Sequence, residues 1–339
     1  MRSFIILSLF LFCSAKSEAS PWLVKKGTYL LSGQYDFARA TQEFISTSGK
    51  RVDYSLQGIY SSNTYTLGAR VGVTDLFEID FDLPFKSVTY TADPVLLITP
   101  LGESFDEYQE NILNFSNAIS GIADIQLRAR FALLRGSFAA SLEMGLTAPT
   151  GYTGPSGTFG EDPNRVDDFQ DRVDDIVKPE NIKDDITLGD GVFGFIPRLN
   201  FGFGSASGFF TRGSIGLNIR NQDAGDFVVS SFKIGQFIRP WLLLYGGAAL
   251  EYTIIPGRVI GISVIANDPS LPASEYGGTN NLQPIEVRLD RDQLQTPIGL
   301  LFRPLNRVNF TLTYSPVIWG RNVAMSHTLS AGFTLQSDL

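Results

Sequence analysis

The chain has 339 residues, of which 43% are hydrophobic and 18% are charged, and its formal net charge at pH 7 is −8. The acidic balance disfavours nucleic-acid binding, because no basic patch is present to meet phosphate groups. The single cysteine, Cys13, lies in an N-terminal segment that we expect to be removed, so a mature chain without disulfides is predicted.

The segment at 1–19 has the features of a secretory signal peptide. Arg2 provides a basic start, Phe4–Phe12 an apolar core, and Ser17–Ala19 a small-x-small cleavage site. The apolar run is too short for a transmembrane helix, and no later stretch approaches the roughly 18 consecutive apolar residues that such a helix needs. We therefore expect an exported chain whose remainder, 20–339, is one domain.

The stretch Ser120–Gly151 is typical of a membrane-spanning β-hairpin. Its two arms turn at Arg135, and in both arms apolar residues such as Leu127 alternate with polar ones such as Arg128. A period of two indicates extended strands, and the arms match the roughly 9–11 residues that a tilted transmembrane strand requires. The polar face is rich in small residues and poor in lysine, which favours a barrel lumen over an open water-exposed sheet.

The same alternation predicts strands along most of the chain. In order they are Tyr29–Phe37, Tyr60–Val73, Phe77–Lys86, the two hairpin arms, Phe193–Phe203, Arg212–Arg220, Phe227–Ile238, Leu242–Ile255, Gln293–Arg303, Val308–Pro316 and Met325–Gln336. The alternation in Phe227–Ile238 is too irregular to assign its faces. Short turns alternate with long connections, apart from short connections after Arg220 and Pro316. This pattern predicts an all-β, antiparallel, up-and-down transmembrane β-barrel of about twelve strands, with both termini in the periplasm.

Four segments of the chain resemble one known family. They are SGIADIQLRARFALL at 120–134, LEMGLTAPTG at 142–151, LGDG at 188–191 and YSPVIWGRNV at 314–323. They are similar to the outer-membrane proteins grouped as the MetA-pathway of phenol degradation family. The resemblance implies an outer-membrane β-barrel that takes up small hydrophobic or aromatic compounds.

The alternation also places seven charged residues on the lumen side. They are Arg128, Arg130, Glu143, Arg198, Arg212, Arg220 and Glu251. One interpretation is a pore lining that selects solutes by charge. The other is a set of ion pairs that fills a narrow, closed interior, since about twelve strands leave little room beside the side chains.

Three further features have both a functional and a structural interpretation. His327, the only histidine, could serve a phospholipase-like site with a nearby serine, but Ser326 points to the opposite face, so no catalytic residue is predicted. The acidic run at 161–175 could bind Ca²⁺, although its spacing is not that of an EF-hand, and a solvated loop bridged to lipopolysaccharide is preferred. Five aromatic residues near strand ends are expected to form an interfacial girdle: Trp22, Tyr29, Trp241, Tyr314 and Trp319.

We therefore predict a monomeric, non-enzymatic outer-membrane barrel, without cofactor or bound metal, that passes small molecules, including hydrophobic ones. Its expected partners are outer-membrane lipid, lipopolysaccharide and a small-molecule solute. The alternative is a structural or surface-interaction barrel whose long loops are the working part; an outer-membrane phospholipase is a third and less favoured interpretation.

Overall fold

The structure of the protein, a computed structural model, describes residues 21–44, 49–96, 112–113, 116–152, 154, 186–222, 224–266, 268, 271, 281–305 and 307–338. The predicted signal segment at 1–19 and the acidic run at 161–175 lie outside the described residues. Within the described part of the chain, no helix has both the length and the hydropathy that crossing a membrane requires.

Twelve antiparallel strands close into one β-barrel, which confirms the predicted fold class. The strands are β1 (Thr28–Ala40), β2 (Ile59–Thr74), β3 (Phe77–Thr91), β4 (Asn117–Ile122 and Ile125–Leu134), β5 (Phe138–Ala148), β6 (Gly194–Gly204), β7 (Phe209–Arg220), β8 (Asp226–Arg239), β9 (Leu242–Ile255), β10 (Asp292–Gln295 and Ile298–Leu305), β11 (Val308–Arg321) and β12 (His327–Asp338). Each strand pairs with its sequence neighbours, and β12 pairs with β1 along nearly its whole length. The closed ladder leaves no strand edge exposed along the wall.

Strand β10 differs from its prediction, because it is interrupted at Thr296 and Pro297. Proline has no N–H to donate to a ladder, and the wall is held there by single bonds instead. Gly247 N donates to the Pro297 carbonyl at 2.9 Å, and Thr296 N donates to the Pro316 carbonyl at 3.1 Å. The barrel therefore stays continuous across the break.

The outer surface of the barrel is apolar and the inner surface is polar. Outward rows contain large exposed hydrophobic side chains throughout, with Leu67 65% and Phe138 70% exposed. The alternating positions carry buried polar residues such as Ser141 and Asn200, both 0% exposed. A soluble two-sheet sandwich would bury its apolar rows between the sheets. Here those rows face outward, as lipid requires.

The two ends of the barrel are unlike. Five connections of a few residues, which join β2 to β3, β4 to β5, β6 to β7, β8 to β9 and β10 to β11, lie at what we call the short-turn end. The opposite end, the long-loop end, carries three small extra sheets. One pairs Gln42–Phe44 with Arg51–Asp53 and Val323–Ala324, one pairs Val259–Ala266 with Leu282–Arg288, and one pairs Val95–Leu96 with Ile112–Leu113.

Candidate functional site: the barrel interior

The seven charged residues that alternation assigned to the lumen all lie on inward-facing positions of their strands. Five of them are buried: Arg128, Arg130, Glu143, Arg212 and Arg220. Arg198 and Glu251 are half-buried. Six of the seven belong to two ionic clusters, one near the short-turn end (Arg128, Arg130, Glu143 and Arg198) and one near the long-loop end (Arg220 and Glu251). The seventh, Arg212, is buried on β7. A role for these residues in lining a solute path stays a prediction.

The first cluster is a network of alternating charges across strands β2 to β6, which we call the ion-pair belt. Its members are Arg70, Glu78, Asp80, Asp82, Arg128, Arg130, Glu143 and Arg198. At its centre Arg130, 0% exposed, lies 2.7 Å from Glu78, 2.5 Å from Asp80 and 2.9 Å from Glu143. Guanidinium and carboxylate groups are equal in number, so their charges cancel within the barrel.

Cross-strand register explains why the belt forms. Arg130 on β4 lies directly opposite Glu78 on β3 and Glu143 on β5, and Glu143 in turn lies opposite Arg198 on β6. Directly opposed residues on one face of a sheet have their side chains in contact. Taking one partner from such a buried pair costs about 3–5 kcal/mol, because the other charge is left uncompensated.

Residues 21–27, the N-terminal segment, fold into the short-turn end and cover the belt. Val24 is 1% exposed, and its backbone N–H donates to the Glu78 carboxylate at 2.6 Å. Trp22 lies against the inner face of β6, where a Cβ added to Gly202 would be 2.8 Å from its ring. The segment thus crosses the mouth from β1 to β6, and together with the belt it fills the part of this end that lies beside β2 to β6.

A second segment, 186–192, crosses the interior near the long-loop end, and we call it the cross-loop. Lys86 on β3 donates to the Leu188 carbonyl at 3.3 Å. Tyr152 accepts a bond from Gly191 N at 3.0 Å and donates its hydroxyl hydrogen to Asp124. Burial and the bond to Asp124 raise the pKa of Tyr152, so the hydroxyl stays protonated and keeps its role as donor.

On the opposite wall, Asp190 of the cross-loop meets two arginines. Its carboxylate lies 2.9 Å from Arg220 Nη1 and 3.1 Å from Arg291 Nη1. Burial alone would raise the pKa of Asp190, but Arg291 and Arg220 outweigh that effect and hold the pKa below its usual value. Arg291 also pairs with Glu251 at 3.3 Å. The cross-loop is therefore tied ionically to β7, β9 and the start of β10.

A chamber of about 490 Å³ lies between the belt and the cross-loop. Its wall combines charged groups from both clusters with hydroxyl, amide and small apolar side chains. Among these are Ser32, Gln34, Thr66, Ser231, Val229 and Ala249. The volume falls within the range of small-molecule sites, roughly 300–1,000 Å³. Lys233 also lines the chamber, and its Nζ lies 4.9 Å from the centre of the Tyr245 ring.

The remaining predicted residues do not converge on a site. His327 lies on the outward face, where Nδ1 and the Tyr314 hydroxyl are 2.6 Å apart, while Ser330 is buried on the inner face. Trp241, in the turn between β8 and β9, and Tyr314 are exposed on the outer surface. Tyr314 lies in the middle of β11 rather than near its end, so the aromatic girdle stays a prediction. Trp22 is not part of such a girdle, because it lies inside the short-turn end. Within the described ranges, no group of three or more His, Cys, Asp or Glu is placed to hold a metal ion.

Sequence reasoning missed Asp190, Arg291 and Lys233 as interior residues. Asp190 lies in the connection before β6, and Arg291 lies one residue before β10, so neither belongs to an alternating strand. Lys233 belongs to the strand whose faces could not be assigned. The only available signal was the GDG sequence around Asp190, which indicates a tight turn directly before a strand.

Comparison with known proteins places the fold among outer-membrane barrels. No family model and no curated protein matches the sequence. The COG4313 outer membrane channel from Pseudomonas putida F1 is similar in structure, with a TM-score of 0.60, 10% identity, and coverage of 96% of this chain and 100% of that chain. Two similarities are weaker. The transport unit of the autotransporter AIDA-I from Escherichia coli has a TM-score of 0.44 and 7% identity, with 99% of this chain and 96% of that chain covered. A TodX mutant monoaromatic hydrocarbon channel has a TM-score of 0.41 and 11% identity, with 93% of this chain and 91% of that chain covered. At these identities the likeness concerns the fold alone.

Proposed function

We propose that this chain is a passive outer-membrane channel for small molecules. The observation that carries the proposal is the chamber of about 490 Å³, enclosed by a closed barrel whose outer surface is apolar. A barrel with a purely structural role gains nothing from an interior cavity with a mixed charged, hydroxyl and apolar lining. The ion-pair belt and the cross-loop would then act as constrictions that limit the size and charge of what passes.

The proposed location follows from the same features. Residues 1–19 would direct export and be removed, leaving 20–339 as the barrel. In bacterial outer-membrane barrels the short turns face the periplasm and the long loops face outward. The apolar rows would then contact lipid, the long loops would meet lipopolysaccharide, and the chain would act as a monomer.

For the solute, we favour small hydrophobic or aromatic compounds, in keeping with the resemblance to the MetA-pathway of phenol degradation family. Two of the resembling segments supply interior parts: the one at 120–134 contains Arg128 and Arg130 of the belt, and the one at 188–191 contains Asp190. Membership of that family and the class of solute are both proposals that rest on this resemblance.

A structural barrel is the second candidate, and one observation favours it. The belt and the N-terminal segment leave central inward residues such as Arg130 and Glu78 with no exposed surface. The interior beside β2 to β6 is therefore densely packed at that level in this conformation. Such packing suits a structural barrel, whereas transport would require either a path beside the remaining strands or movement of the N-terminal segment.

Liposome swelling with purified full-length protein tests the proposal. Proteoliposomes in isotonic solutions of small aromatic solutes should swell faster than protein-free liposomes, and a variant lacking residues 21–27 should swell faster still. Growth of a deletion strain on a panel of carbon sources, including aromatics, then identifies the solute. No swelling by either protein with any solute would establish the structural barrel instead.

A further inference from the structure

We propose that Arg220 and Arg291 form a binding site for a small monocarboxylate with an apolar body, and that Asp190 occupies this site in the absence of the solute. The inference deepens the proposed function and rests on it only in requiring that solutes reach the chamber. The three residues meet beside Phe227 at the long-loop end of the chamber.

The wall of the barrel fixes Arg220 without help from Asp190. Its Nε donates to the Gly225 carbonyl at 2.7 Å, and its Nη2 donates to the carbonyls of Ala224 and Leu289. Its guanidinium also lies over the Phe227 ring, 4.1 Å from the centroid. These contacts hold a charged side chain that is only 2% exposed. Nη1, the remaining nitrogen, faces the carboxylate.

Arg291 is oriented by the wall in a similar way. Its Nε lies 3.3 Å from the Glu251 carboxylate, which Gln293 also contacts at 2.8 Å. Its guanidinium is 5.8 Å from the centre of the same Phe227 ring. The two Nη1 atoms therefore converge on one carboxylate from separate parts of the wall, the end of β7 and the residue before β10. Convergent guanidinium donors are the usual recognition geometry for a carboxylate.

Of the four clustered residues Asp190, Arg220, Glu251 and Arg291, only Asp190 lies outside the barrel strands and the residues directly next to them. It is carried by the cross-loop between two glycines, and Gly191 adopts a positive φ of 70°. If the cross-loop moved, Arg220 would stay buried but would lose the carboxylate in direct ionic contact with it, which is costly. A carboxylate from solution can supply the same two oxygens.

The charge and lining of the site select the class of solute. Without Asp190, two arginines and the adjacent Glu251 leave one net positive charge, which matches a monoanion better than a dianionic phosphate. Val229 lies beside Glu251 on the neighbouring strand, and Ala249 is the next inward residue of β9 toward the short-turn end; both line the chamber. These small apolar residues fit an alkyl chain or a single aromatic ring, so benzoate is a suitable probe.

Isothermal titration calorimetry of the folded full-length protein in detergent, with benzoate as ligand, tests the site without requiring transport. Asp190 competes as a tethered carboxylate, at an effective concentration in the millimolar range. We expect Asp190→Asn to bind benzoate about ten-fold or more tightly than the unaltered protein does, and Arg291→Gln to lose binding. Arg307→Gln, which removes an arginine from an exposed pair at the short-turn end, is the matched control and should bind normally.

Neutral benzamide, which has the same shape, should bind none of these proteins detectably. Equal affinity for benzoate and benzamide, or no gain in benzoate affinity for a folded Asp190→Asn variant, would overturn the proposal. Heat-dependent mobility on gels reports whether each variant is folded. If Asp190→Asn does not fold, unchanged benzoate binding by Arg291→Gln refutes the site, and loss of binding by Arg291→Gln but not by Arg307→Gln supports it. Failure of the liposomes to swell would leave this binding result unaffected.

Discussion

Substitution of Gly72 by alanine should displace the N-terminal segment from the short-turn end. Gly72 lies on the inner face of β2, and a Cβ at this position would be 2.1 Å from the Lys25 carbonyl oxygen and 2.8 Å from that of Val24. Ordinary contact begins at 3.4 Å, so the backbone of the segment must move by roughly 1.3 Å. Backbone cannot rotate away as a side-chain tip can.

That movement is large enough to break the bonds that hold the segment. Gly27 N donates to the Gly72 carbonyl at 2.9 Å, and Val24 N donates to Glu78 at 2.6 Å. Lengthening either by more than 1 Å takes it beyond hydrogen-bond distance. The second loss is the costlier, since hydrogen bonds to charged groups are worth about 1.5–3 kcal/mol. The segment should then spend much of its time outside the barrel.

Thiol labelling of Val24→Cys, in a Cys13→Ser background that removes the chain's only cysteine, measures this displacement. Val24 is 1% exposed, so labelling should be slow, and adding Gly72→Ala should accelerate it by about ten-fold or more, as expected when opening costs about 1.4 kcal/mol less. The matched control is Gly68→Ala, on the same face of β2, where the two atoms nearest an added Cβ belong to the side chains of Ser32 and Asp82 and the nearest backbone atom, the Phe81 carbonyl oxygen, is at an ordinary 3.8 Å. Equal labelling rates in the Gly72→Ala and Gly68→Ala proteins would refute the reasoning.

Three further changes have defined outcomes. Arg130→Met removes the shared partner of three buried carboxylates and should lower the free energy of unfolding in urea by about 3–5 kcal/mol, whereas Arg307→Met, in an exposed pair, should change it by less than about 1 kcal/mol. Burial raises the pKa of Glu43 from 4.5 to about 7. The protonated carboxyl is therefore favoured in the folded protein, and its contribution to stability is complete below pH 4.5 and lost as the pH rises through 7. Glu43→Gln, which cannot ionise, should melt at a higher temperature than the unaltered protein at about pH 8 and at the same temperature at about pH 4. Leu67→Arg, on the outward face at mid-strand, should cost about 2–4 kcal/mol of stability in lipid bilayers, and a cost near zero would argue against lipid contact there.

The strands and their faces could be predicted because a period of two is a local property of the chain. The opposite faces of Leu127 and Arg128 can be inferred from the alternation along their own strand, without information about any other strand. The partners of Arg128 and Arg130 could not be predicted in the same way, because contact depends on register between β3 and β4. Glu78 and Arg130 are opposed only because the strands align as they do.

Departures from regular strands were the parts that sequence could not resolve. Trp22 was expected at the membrane interface, since an aromatic residue near a strand end is common there, but its position is set by contact with Gly202 across the barrel. Asp190 lies in no strand, so no alternation could place it opposite Arg220. The faces of β8 became clear only from its pairing with both neighbours, which turns Phe227 and Lys233 inward.

The ion-pair belt also has a consequence for how the barrel is built. Successive side chains of a strand point to opposite faces of the sheet. A slip of one position between β3 and β4 would therefore change the face of the charged side chains as well as their partners. It would turn Arg128 and Arg130, or their carboxylate neighbours, toward the hydrocarbon of the bilayer. Each arginine so misplaced would cost up to about 2–4 kcal/mol, and less the closer it lies to the membrane interface. The belt thus disfavours misaligned pairing among β2 to β6, because only the native register keeps all of its charges inside the barrel.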